Sequence, residues 1–127
     1  MIKTKNISAK QEIPEIKYDS TGRVTINGRW SIKRVDEFLN YLRDWFEPFI
    51  ANPPEINTID IRLEYVNNSN TSLLVSLLKK ILIIRESSEG PVINWYYEDG
   101  DEDIFEYGEY ISLVLDTPFT FIRIHEH

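Results

Sequence analysis

The sequence predicts an α/β fold: a mixed sheet of four to five strands with three helices, in the order β-β-α-β-α-β-α-β. Three observations carry this prediction. Apolar residues recur at every second position in some segments and at three- to four-residue spacing in others, the periods of strand and helix. After an initial hairpin the two periods alternate, and alternating strands and helices need the crossovers of a largely parallel sheet. The length, 127 residues, suits a single domain with one ordinary hydrophobic core, residues 1–127, with residues 1–9 expected as a flexible N-terminal arm.

The first unit is Ile13-Pro14-Glu15-Ile16-Lys17-Tyr18, whose alternation is interrupted by proline and so reads as an edge strand. Asp19-Ser20-Thr21-Gly22 is turn chemistry, and Val24 to Asn27 is the second arm of the hairpin. Then the period changes. Ile32, Val35, Phe38, Leu39, Leu42, Trp45, Phe46, Phe49 and Ile50 form the stripe of an amphipathic helix, with Ser31 as its expected N-cap and Pro48 its expected end or kink.

Ile59 to Tyr65 alternates strictly and reads as a strand. The polar loop Asn67 to Ser72 opens a second helix that carries Leu73, Leu74, Leu77, Leu78, Ile81 and Leu82 on one side and stops at Ser87 to Pro91. Val92 to Tyr97 is rich in strand formers and is expected inside the sheet. An acidic turn, Glu98 to Asp103, leads into a third helix marked by Ile104, Phe105, Gly108, Ile111, Val114 and Leu115. Asp116-Thr117-Pro118 ends that helix, and Phe119 to Ile124 is the last strand.

Composition excludes several classes of function. There is no cysteine, hence no disulfide framework, thiolate metal site or thiol nucleophile, and the chain reads as cytoplasmic. The formal net charge is -7. Residues 1–34 carry eight bases against three acids, and the remainder six against eighteen. An acidic body argues against nucleic acid as a partner. The most apolar run, Leu73 to Ile84, is broken by Lys79 and Lys80 and is too short to span a bilayer. No glycine-rich phosphate loop, nucleophile elbow or zinc-protease motif occurs, and no cofactor is expected. Asp99 to Asp103 fails as a calcium loop, with Ile104 and Tyr110 at the positions that require Gly and Glu. Its carboxylates suit the first turn of a helix instead. His125 and His127 lie at the chain end and read as surface.

The loop Asn67 to Ser72 is the informative segment. It follows a strand and opens a helix, so it lies at the carboxyl edge of the sheet, where function concentrates in open α/β folds. Six polar residues in succession exceed what one N-cap needs. A phosphoryl group there would meet the positive end of the helix and its free N–H groups.

The chain also resembles a known family. Ile59 to Asn67, the Ser/Thr-rich helix start, Trp95-Tyr96-Tyr97-Glu98-Asp99 with Asp101-Glu102-Asp103, then Glu106, Gly108 and Glu109, and finally Pro118-Phe119 with Phe121, look like the SiaC-type regulatory phosphoproteins of bacteria. The resemblance covers residues 10–124. It implies a fold similar to the STAS domain and a non-enzymatic role in partner switching. A cognate Ser/Thr kinase phosphorylates a threonine in an Asn-Thr-Ser-Ser motif, a PP2C-type phosphatase reverses this, and the unphosphorylated form activates a diguanylate cyclase. Counted without gaps, the family's threonine falls on Asn68, which cannot accept a phosphoryl group. Three outcomes stand open: Ser69 is the acceptor, Thr71 of the displaced Asn70-Thr71-Ser72 is the acceptor, or the switch is lost. The expected docking face is Asn67, Asn68, Asn70 and Ser72 with Asp99, Asp101 and Glu102.

Two other readings compete. One is a small-ligand or nucleotide-binding domain that uses the sheet edge and Trp95, Tyr96 and Tyr97. The other is a hydrolase drawing on Glu64 or Glu98, for which no partner nucleophile is evident.

Overall fold

The computed structural model describes residues 4–7, 13–66, 70–85 and 89–125. The elements are β1 (Thr4–Ile7), β2 (Glu15–Asp19), β3 (Arg23–Trp30), α1 (Val35–Ala51), β4 (Thr58–Val66), α2 (Thr71–Ile84), β5 (Val92–Glu98), α3 (Glu102–Leu115) and β6 (Thr120–Ile124). From β2 onward the order is the expected one. The sheet gains a sixth strand, because residues 4–7, expected within a flexible arm, pair antiparallel with β2. The strand before the turn is therefore not an edge, and Pro14 precedes β2 rather than interrupting it.

The strands lie in chain order, β1 to β6. β2 and β3 form an antiparallel hairpin whose turn closes through Gly22 N–H donating to Asp19 O at 3.0 Å. β3, β4, β5 and β6 are parallel neighbours. Each crossover steps the same way across the sheet. Right-handed crossovers that never reverse place α1, α2 and α3 on one face.

Burial bears out this one-sided arrangement. Val24 and Ile26 of β3, Ile59 and Ile61 of β4, and Ile93 and Trp95 of β5 are buried on the helix side. Their neighbours Thr25, Asp60, Arg62, Asn94 and Tyr96 alternate to the open side. There Asp60 accepts from Arg23 and, at 2.8 Å, from Asn94, bridging three adjacent strands. Parallel sheets are usually covered on both faces. This one leaves its open face polar across β3 and β4, with Val92, Tyr96, Ile122 and Ile124 on that face of β5 and β6.

α1 buries Phe38, Leu42, Trp45, Phe46 and Phe49, as its stripe predicts, while Val35, Leu39 and Ile50 remain exposed. Its boundaries differ from expectation. The N-cap position is Arg34, not Ser31, which is buried before the helix starts. Pro48 neither ends nor caps α1. The helix continues to Ala51, and Asn52 N–H returns to Pro48 O at 3.2 Å. The bond that Pro48 cannot donate belongs to the carbonyl of Asp44, an exposed residue that water can satisfy.

Candidate functional site

Because β3 to β6 run parallel, the loops that follow β3, β4 and β5 lie on one edge of the sheet. Their described residues are 31–34, Asn70 and 99–101. A break in the β3–β4 ladder shapes this edge. Gly28 pairs with Leu63 and Arg29 with Tyr65, so Glu64 is an extra residue without a partner on β3. The strict alternation expected through Tyr65 fails here. Past the bulge the faces are reassigned: Tyr65 meets Arg29, whose guanidinium lies 4.6 Å from the ring centroid, and Val66 pairs with Trp30. Bulges of this kind re-aim side chains near functional sites. Here the bulge presents Glu64 to the cleft beyond the strand end.

Asn70 anchors the end of the 67–70 loop. It occupies the N-cap position of α2 but makes no side-chain cap bond. Its Oδ1 accepts instead from Ile32 N–H at 3.1 Å, and its backbone carbonyl accepts from Trp30 Nε1 at 3.1 Å. All three residues are buried. The loop after β4 is thus fastened to the loop after β3, while the side chain of the N-cap residue is diverted from the first turn of α2. That turn also holds no acid.

Thr71 is the first residue of α2 and is half-buried. Its hydroxyl accepts a hydrogen bond from Tyr107 Oη of α3 at 2.9 Å. Burial raises the Tyr107 pKa, and the bond to Thr71 opposes that in part. Sequence reasoning missed Tyr107, because one tyrosine within a helix carries no signal of what its hydroxyl reaches.

α3 begins at the same edge. Asp101 is its N-cap, and its Oδ1 accepts from Ile104 N–H at 3.1 Å. Glu102 and Asp103 lie in the first turn, where the positive helix end favours carboxylates. Between α3 and the end of β4 lies a cleft of about 560 Å³ lined by Glu64, Tyr65, Val66, Asp101, Asp103, Ile104, Glu106 and Tyr107. A second cleft, about 320 Å³, shares Glu64 and Asp101 and adds Arg62, Tyr96, Tyr97, Glu98 and Ile124. Among the described residues, no group of three or more potential ligands is placed to hold a metal ion.

The expected site residues are thus distributed unevenly. Asn70 and Thr71 start α2 and Asp101 starts α3, all at this edge. Ser72 and Glu102 are exposed beside it. Asp99 turns toward β6 instead, with His125 Nδ1 at 3.3 Å and Arg123 Nε at 3.9 Å. Asn67, Asn68 and Ser69 lie outside the described residues, as does His127. Trp95 is no ligand surface. It is fully buried and donates from Nε1 to Ile104 O at 3.0 Å.

Comparison with known proteins settles the family. The model of the SiaC family regulatory phosphoproteins matches residues 7–124. The chain belongs to the SiaC family. A relative from Pseudomonas aeruginosa strain UCBPP-PA14, itself uncharacterised, is 27% identical over 125 residues, covering 95% of this chain and 96% of its own. Two solved structures share the fold. SiaC of Pseudomonas aeruginosa superposes with a TM-score of 0.67 at 22% identity, over 98% of this chain and all of that one. A crystal structure of the diguanylate cyclase SiaD in complex with its activator SiaC, from the same organism, gives 0.71 at 24% identity, over 95% of this chain and 98% of the matched one. Family membership accounts for the one-sided α/β architecture and for the resemblance first seen at Trp95 to Asp103. No described helix is long and apolar enough to cross a membrane.

Proposed function

We propose that this protein is a non-enzymatic, cytoplasmic signalling module that binds and regulates a diguanylate cyclase, under control of phosphorylation in the loop that opens α2. A Ser/Thr kinase and a PP2C-type phosphatase would set its state. The family supports the regulatory role, and the complex of SiaD with SiaC supports the choice of partner.

One observation carries the switch: Asn70, at the N-cap position of α2, makes no side-chain cap bond, because its side-chain oxygen accepts from Ile32 N–H instead. A phosphate on a neighbouring hydroxyl would meet the positive end of the α2 dipole, worth about 0.3–1 kcal/mol or more where partly buried. It would also add negative charge beside Tyr107, the hydrogen-bond partner of Thr71, which lines the cleft together with Glu64, Asp103 and Glu106. Like-charge repulsion would then press the start of α2 away from α3 and reshape the shared edge.

Ser69 and Thr71 are the two candidate acceptors. Phosphorylation of Thr71 must first break the Tyr107 bond, so Ser69 is the acceptor we favour. Mass spectrometry of the protein isolated from its host tests the reading. The peptide from Asn67 to Lys79 is expected to gain one phosphate. A protein that never carries phosphate there, under any growth condition, refutes the switch.

The ligand-binding alternative has one observation in its favour, since Tyr96 and Tyr97 line the smaller cleft. That lining sets Glu64, Glu98 and Asp101 against Arg62, a charge balance that repels the phosphates of a nucleotide.

A further inference from the structure

α3 carries Glu102, Asp103, Glu106 and Glu109 and no base. Ile104, Gly108 and Ile111 are its buried side, against the sheet. Helical spacing places Asp103, Glu106, Tyr110, Leu113 and Val114 together on one outward stripe, roughly 100° wide. Its far end is apolar and open to solvent: Tyr110 is 55% exposed, Leu113 81% and Val114 43%. Its near end, Asp103 and Glu106, forms a wall of the larger cleft with Glu64 and Asp101, and among the described residues no base lines that cleft. The two halves form one continuous surface, acidic toward the carboxyl edge of the sheet and apolar away from it.

We propose that this stripe docks an amphipathic helix of the partner protein, with basic residues over Asp103 and Glu106 and apolar residues over Tyr110, Leu113 and Val114. The inference rests on the partner-binding reading above and names the surface that serves it. A helix fits because side chains three and four residues apart on one helix interdigitate with the same spacing on another. The bases are required by charge. A neutral or acidic segment would strip water from carboxylates and leave them unpaired. The apolar half supplies what charge does not, a dry centre to the contact.

Calorimetric titration against a purified diguanylate cyclase of the same host tests this. Leu113→Asp is expected to weaken binding about 30-fold, the scale of a central interface residue. Glu106→Lys is expected to weaken it about tenfold and to flatten its dependence on salt. Ile83→Asp, at an equally open apolar position on α2 (79% exposed), should stay within about twofold of the parent. Unchanged binding by Leu113→Asp, or equal loss from Ile83→Asp, overturns the docking face and leaves the function standing.

If no cyclase binds the parent protein, the proposed function fails rather than the surface. A synthetic helical peptide, with a Lys/Arg first turn and leucines at three- and four-residue spacing, then decides. Amide chemical-shift changes confined to residues 103–114, and absent with a Glu-substituted peptide, support the face. No shifts at millimolar peptide, or shifts elsewhere, overturn it.

Discussion

The indole of Trp95 fills the space that a side chain at position 108 would need. A β-carbon on Gly108 would stand 2.5 Å from Trp95 Nε1 and 2.6 Å from Cδ1 and Cε2. The same indole donates to Ile104 O at 3.0 Å, one helical turn before Gly108. The glycine lets α3 approach β5 closely enough for that bond, and so fixes where Asp101, Asp103 and Glu106 stand at the cleft.

Gly108→Ala should therefore destabilise the protein despite its better helix propensity. Alanine gains about 1 kcal/mol within a helix. Overpacking costs about 1–3 kcal/mol, and loss of the indole bond about 1 kcal/mol more. Urea unfolding is expected to show a net loss of about 1–3 kcal/mol. A gain in stability would mean that the contact yields easily.

Asn70→Ala removes the acceptor of a buried backbone donor. Ile32 N–H is then left without its partner at 3.1 Å, at a cost of about 1–3 kcal/mol. Hydrogen exchange at the Ile32 amide should accelerate more than exchange in β5. Uniform acceleration across the sheet would show that Asn70 does no more than support the fold as a whole.

Tyr107 gives an alkaline signature. Burial raises its pKa above the usual 10.0, so the folded state holds this proton more tightly than the unfolded chain. The resulting stability is fully present below pH 10 and is lost as pH rises through the folded-state value. Tyr107→Phe should remove that part of the alkaline decline while deleting the Thr71 bond. An alkaline unfolding profile identical to the parent's would refute the assignment.

Pro48→Ala should stabilise α1. The substitution restores the N–H that the carbonyl of Asp44 lacks and relieves an interior proline, which costs about 3 kcal/mol against alanine. Greater freedom of the unfolded chain offsets about 0.4–1 kcal/mol of this. A rise in thermal midpoint is expected. A fall would show that the proline ring contributes packing that the helix needs.

Much of this protein was legible in its sequence, for a physical reason: burial on one side of an element imposes a period, and a period survives in one dimension. The stripe from Phe38 to Phe49, the leucines of α2 and the run Val92 to Tyr97 announced their elements, and breakers such as Asp19 to Gly22 separated them. The placement of Thr71 in the first turn of α2, and of Asp101 to Asp103 at the start of α3, followed from the same logic.

What the sequence left open was decided by partners distant along the chain. Ser31 has N-cap chemistry, yet α1 starts later. The pairing of β3 with β4 made Glu64 a bulge and turned Tyr65 outward, which no alternation of types could reveal. Asn70 was one polar residue among six until Ile32, 38 positions away, claimed its side-chain oxygen. Tyr107 acquired meaning only by meeting Thr71 across 36 positions. Local propensity and periodicity determined the elements and their order. The site depends on hydrogen bonds and close approaches between elements, and those exist only once the sheet has brought its three loops to one edge.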